Sequence, residues 1–94
     1  MTILRIQHRI QNFDIWKKAF DADPIEREKK GVKRYRVCRP AEDPNMVIVD
    51  LEFDNSNNAE SALAALEKLW TKVEGTVMFD PQTRIMEIVE AREY

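Results

Sequence analysis

The chain has one cysteine, one histidine and two glycines among 94 residues, and its apolar runs are only a few residues long. Each scarcity excludes something. A lone Cys38 cannot form an internal disulfide framework, and one cysteine with one histidine cannot furnish the usual Cys/His zinc sets, so neither a metal nor another cofactor is expected. Short apolar runs leave nothing to span a bilayer. The opening MTILRIQHR lacks the apolar centre of a secretory signal, so the expected location is the cytoplasm. A net charge of -2 asks for no polyanionic partner. What remains, 44% hydrophobic and 34% charged residues, is the composition of a soluble globular protein. At this length a single domain, 1–94, is expected, because two independent cores could not both bury enough surface.

The stretch LRIQHRI, residues 4 to 10, alternates with period two. Leu4, Ile6, His8 and Ile10 share one side, and Arg5, Gln7 and Arg9 the other. Asn12 then caps a helix carrying Phe13, Trp16 and Phe20 at helical spacing. Pro24 suits the first position of a renewed helical turn with Asp23 as its cap, and Gly31 closes it. Val32 to Arg39 reads as a second strand and Met46 to Phe53 as a third, forming a hairpin across the polar loop from Pro40 to Asn45. Asn57 with Glu60 resembles a capping box ahead of Leu63, Leu66, Leu69, Trp70 and Val73, and Gly75 ends that helix. Thr76 to Thr83 reads as a connector turning at Asp80-Pro81, and Arg84 to Glu90 as the last strand. The order βαββαβ with right-handed crossovers predicts an α+β, ferredoxin-like fold: a four-stranded antiparallel sheet, order 4-1-3-2, with two helices on one face.

Parity assigns the two sheet faces. His8 falls under the helices with the apolar set, while Arg5, Arg9, Arg34 and Arg36 share the open face with Asp50 and Glu52, as do Ile3, Met46, Ile48 and Cys38. The third strand neighbours both others, so Arg9 is expected near Asp50 or Glu52 on one side and Arg34 or Arg36 on the other. Opposite charges across strands stabilise by roughly 0.2–1 kcal/mol each. A face holding both paired charges and apolar residues predicts a homodimer through it. The alternative is a solvated face with weak surface ion pairs.

The segments LRIQHRIQNFDIWKKAFD, GVKRYRVCRPAEDPN and MVIVDLEFD, with the helix spacing, resemble small proteins of the dimeric α/β-barrel superfamily, nearest to uncharacterised relatives of the antibiotic biosynthesis monooxygenases. The resemblance covers nearly the whole chain and implies a ferredoxin-like protomer whose sheets pair into a barrel across a dimer. It leaves the reaction open, since cofactor-free oxygenases, haem-degrading enzymes and lactone isomerases share this scaffold. The haem-degrading branch carries an Asn on the first strand, a Trp on the second helix and a His beyond it. Here Trp70 fits, but Asp80 stands at the histidine position and Gln7 or His8 at the asparagine, which disfavours haem.

By the same resemblance a ligand lies between sheet and helices, on the side of His8. A pocket lined by Trp16, Phe20, Tyr35, Phe53 and Trp70 would hold a hydrophobic or aromatic molecule, with His8 as general base on a phenol or enol. The plain alternative is that the aromatics are core and His8 a satisfied residue at its edge, in a non-catalytic dimeric module. Cys38 reads as a structural thiol. Asp50 and Glu52 read as ion-pair partners rather than an acid/base couple. The basic run from Lys29 to Arg36 invites comparison with RNA-recognition sheets, whose strands carry stacking aromatics. Arg5, Gln7, Asp50 and Glu52 hold the corresponding positions, so no nucleic-acid partner is expected.

Overall fold

A computed structural model describes residues 1–73, 75 and 78–94. Six elements follow in the order β1 (Thr2–Arg9), α1 (Phe13–Asp21), β2 (Arg34–Cys38), β3 (Met46–Phe53), α2 (Ser56–Val73) and β4 (Phe79–Glu87). The strands form one antiparallel sheet in the order β2-β3-β1-β4, the topology the hydrophobic pattern predicts.

Strand parity positions everything else. Along β1, Thr2, Leu4, Ile6 and His8 are buried while Ile3, Arg5 and Gln7 are half-buried. β3 lies in register with β1, pairing Leu4 with Leu51, Ile6 with Val49 and His8 with Val47. These residues meet α1 and α2 in one core with Trp16, Phe53, Ala59, Ala62 and Trp70. Fully burying one Leu, Val or Phe side chain contributes about 1.5–3 kcal/mol. A one-residue slip of β1 would move its whole apolar set to the other face, so this register is strongly specified.

Both helices start on an asparagine. The Asn12 side chain accepts from the Ile15 N–H at 3.0 Å, and the Asn55 side chain from the Asn58 N–H at 2.9 Å. Asn55, not Asn57, therefore caps α2; Asn57 lies inside its first turn.

Three segments differ from the sequence-based expectation. Pro24 to Gly31 does not restart a helix: it is a succession of turns in which Asp23 and Glu26 adopt φ of 53° and 56°. Left-handed backbone at two residues so close together breaks helical continuity. The Asp23 carboxylate does accept from the Arg27 N–H at 2.9 Å, as a cap would, but Glu26 pairs with Lys29 instead of reaching back. β2 is shorter than the expected 32–39. β4 begins at Phe79 and not at Arg84, running through the expected turn at Asp80-Pro81, and stops at Glu87. Pro81 is tolerated because β4 is an edge strand paired only with β1. Asp80, with φ 52°, sits where the pairing shifts between Gln7 and Arg9. Thr76 and Val77, part of the expected connector, lie outside the described residues.

Gly31 needs to be glycine. Its φ is 97°, and an added Cβ would stand 3.1 Å from the Asn58 side-chain amide.

Candidate functional site

His8 is the one polar side chain that the inward face of β1 and the first turn of α1 bring into an aromatic setting. It is 4% exposed, and its ring lies 5.6 Å from that of Trp16. The aromatic series continues along α1, with Trp16 stacked on Phe20 at 5.1 Å. This follows from the i, i+4 spacing of the two residues on one helix face.

Beneath the helices is a cavity of ≈ 90 Å³. His8, Trp16, Phe20 and Trp70 line it, with Ile6, Val49 and Leu51 as its sheet floor and Leu66, Leu69 and Val73 from α2. The turns after α1 contribute Pro24, Ile25 and Arg27, and Ala19 and Met78 also line it. Two expected lining residues are elsewhere. Phe53 is fully enclosed in the core near the far end of β3, and is not among the lining residues. Tyr35 is 47% exposed on the edge strand β2, its ring edge-on to Phe20 at 5.1 Å and outside the cavity. Arg27 was not anticipated from the sequence: its guanidinium covers the Phe20 ring at 3.9 Å and donates to the Phe20 carbonyl at 2.8 Å.

The hydrogen bonds of His8 settle its tautomer. Nδ1 lies 3.2 Å from the Arg9 carbonyl oxygen. A carbonyl can only accept, so Nδ1 carries the hydrogen and Nε2 of the neutral ring presents a lone pair. Among the described residues no group hydrogen-bonds Nε2, yet no fully enclosed side-chain nitrogen or oxygen lacks a partner. Nε2 is therefore not fully enclosed, and His8 is one of the residues lining the cavity. Burial lowers the pKa of His8 from its ordinary value, only partly offset by the bond to the Arg9 carbonyl. The ring is neutral at pH 7 and able to accept a proton.

The opposite sheet face is a lattice of ion pairs. Arg5 donates to Asp50 through Nε at 2.8 Å and Nη2 at 2.9 Å, and Arg36 reaches the same carboxylate at 3.2 and 3.0 Å. Arg34 pairs with Glu52 at 2.6 Å. Under its two guanidiniums Asp50 is 6% exposed. The hydrogen bonds from Arg5 are the largest influence holding its carboxyl below the ordinary value, against the opposing effect of burial. Arg9 does not reach Asp50 or Glu52: register sets it opposite Met46 at the end of β1, and it bonds Asp43 in the hairpin loop at 3.0 Å. Arg5 takes the place expected for it. With both carboxylates committed to arginines, ion pairing accounts for them, and among the described residues no cluster of His, Cys, Asp and Glu could hold a metal. Nor is any described helix long and apolar enough to cross a membrane.

No protein-family model and no curated protein matches the chain. Solved structures do. An antibiotic biosynthesis monooxygenase superposes with a TM-score of 0.69 at 14% identity, over 96% of this chain and all of the other. The chain has the ferredoxin-like fold of the antibiotic biosynthesis monooxygenases. SnoaB, a cofactor-independent oxygenase from Streptomyces nogalater, gives a TM-score of 0.75 at 10% identity, covering 96% of this chain and 94% of SnoaB. A dimeric ferredoxin-like protein from an uncultured marine organism gives 0.65 at 15% identity, with 97% of both chains covered. At such identities the likeness to the monooxygenases is one of fold.

Proposed function

We propose that the protein is a homodimer that binds a small hydrophobic or aromatic molecule in the cavity beneath its helices. His8 Nε2 would act there as general base in cofactor-independent oxygenation or isomerisation. The Nε2 lone pair, without a hydrogen-bond partner among the described residues and belonging to a residue that lines a mostly apolar cavity, carries this reading. In the common first step Nε2 takes the proton of a phenolic or enolic hydroxyl, leaving the electron pair on the substrate as a delocalised anion and His8 as imidazolium. In isomerisation the imidazolium returns that proton to another atom of the anion. In oxygenation the anion instead passes one electron to dioxygen, the co-substrate that a cofactor-independent oxygenase uses. The substrate radical and superoxide combine in a C–O bond, the imidazolium returns its proton to the resulting peroxide, and loss of water across the O–O bond leaves a carbonyl. The likeness in fold to SnoaB supports the second outcome. The dimer is supported by the mixed apolar and ion-paired open face and by the dimeric ferredoxin-like relative in fold.

The cavity volume favours a second reading, a dimeric module without catalysis. At ≈ 90 Å³ it is smaller than the roughly 150 Å³ known to hold a benzene ring. An aromatic ligand enters only if a wall yields, and the turns carrying Pro24, Ile25 and Arg27 are the wall without a helical ladder to hold it. Phenol and 1-naphthol, titrated into the wild type and a His8→Phe variant with thermal unfolding as readout, separate the two readings. The catalytic reading expects the wild type to gain about 5 °C at saturation and His8→Phe to gain far less. No stabilisation of the wild type by either probe would leave the non-catalytic module.

A further inference from the structure

The open face carries more positive charge than its own carboxylates neutralise. Arg5, Arg9, Arg34, Arg36 and Arg84 all belong to it, the last because it stands directly across from Arg5 on β4. Asp43 takes Arg9 and Glu52 takes Arg34, while Asp50 alone serves both Arg5 and Arg36. Arg84 has no ion pair among the described residues. It faces a like charge directly across the strands, an arrangement that destabilises an isolated sheet. Two copies stacked through these faces would double the unneutralised positive charge enclosed between them. Such a dimer needs carboxylates from elsewhere.

The chain beyond β4 supplies a candidate. The Ile88 N–H still donates to the Met1 carbonyl at 3.0 Å, extending the ladder by one residue before the backbone leaves regular structure. Glu90 then borders a hollow of ≈ 370 Å³ on the open face, shared with Ile3, Arg34 and Asp50. It carries no ion pair among the described residues. On either side of it Val89 and Tyr94 are exposed, Tyr94 with only the Arg92 guanidinium over its ring at 5.3 Å.

We propose that Arg84 of one copy pairs with Glu90 of a second, and that the segment 88–94 is part of the contact between them. This rests on the homodimer put forward above. Two-fold symmetry forms the pair twice, since each copy offers both groups. The excess of guanidinium groups over carboxylates on the face is then a recognition feature of the interface and not a defect of the sheet.

Charge reversal and mixing give the test. Arg84→Glu and Glu90→Arg chains would each form homodimers containing two like-charge contacts, weaker than wild type by about tenfold or more in sedimentation equilibrium at low salt. Mixed together, they would form a heterodimer in which both contacts are again opposite in sign. Heterodimer well above the statistical half of all dimers, with near wild-type affinity, is the expected result. Statistical mixing, or reversal variants that dimerise as tightly as wild type, would overturn the pairing while leaving the homodimer standing. A monomeric wild type at high concentration would overturn both. Should either reversal fold poorly, Arg84→Gln and Glu90→Gln keep the test open: each should weaken the dimer by a similar factor, and the double variant no further.

Discussion

Replacing Asp50 by asparagine keeps its volume and removes the charge that joins β1, β3 and β2 on the open face. Four N–H groups, two from Arg5 and two from Arg36, then converge on one amide oxygen, with an NH₂ pointing at a guanidinium. Breaking a fully buried ion pair costs about 3–5 kcal/mol. Asp50 is buried but its partners are not: the Arg5 and Arg36 side chains are 43% and 65% exposed, so water rehydrates them once released. That lowers the expected loss to about 2 kcal/mol. For a domain of this size it corresponds to a fall in Tm of roughly 8–16 °C. Urea unfolding followed by circular dichroism, at one fixed protein concentration, measures the difference. The sign of its pH dependence is fixed. The folded-state pKa of Asp50 lies below its ordinary 3.8, so its contribution is complete above that value and is lost as pH falls towards the folded-state pKa. The gap between wild type and variant should therefore narrow in acid. A loss under about 0.5 kcal/mol at pH 7, or a gap that persists in acid, would refute the account of this face.

The other perturbations test local geometry. Gly31→Ala should destabilise by at least about 1 kcal/mol, since it combines a left-handed backbone with a Cβ against Asn58; equal stability would show that the turn relaxes. Asn55→Ala should cost about 1 kcal/mol in the same unfolding assay, whereas Asn57→Ala should be close to neutral; the reverse ranking would move the helix start to Asn57. The lowered pKa of His8 means that its neutral form is favoured by folding. Its stabilising effect is complete above pH 6.5 and declines as pH drops below it, so a His8→Gln variant should show a flatter stability curve between pH 7 and 5.

Where periodicity carries the information, sequence and structure coincide. The two faces of β1 and β3 alternate because one side must be buried, and α2 follows its Leu and Trp spacing. Turn chemistry was the harder signal. Pro24 is compatible with a helix start, and nothing local announces that Asp23 and Glu26 adopt left-handed backbone or that Arg27 crosses to Phe20. Pro81 signals a turn unless the strand is known to be an edge, which is a property of the whole sheet. The site shows the same division. Parity alone points to His8 and the arginines of the open face, while Trp16, Phe20 and Trp70 follow from helical spacing. The place of Tyr35 and Phe53 outside the cavity depends on how far along each strand the helices reach. That is settled by packing rather than by any residue pattern.

Because the chain has a single histidine, one nuclear magnetic resonance titration reads the centre of the account without ambiguity. With ¹⁵N-labelled protein, the imidazole of His8 should titrate below 6.5 and, when neutral, carry its hydrogen on Nδ1 with Nε2 bare. A pKa at or above 6.5, or a neutral ring protonated on Nε2, would mean that His8 is not held under the helices with a bare lone pair on Nε2.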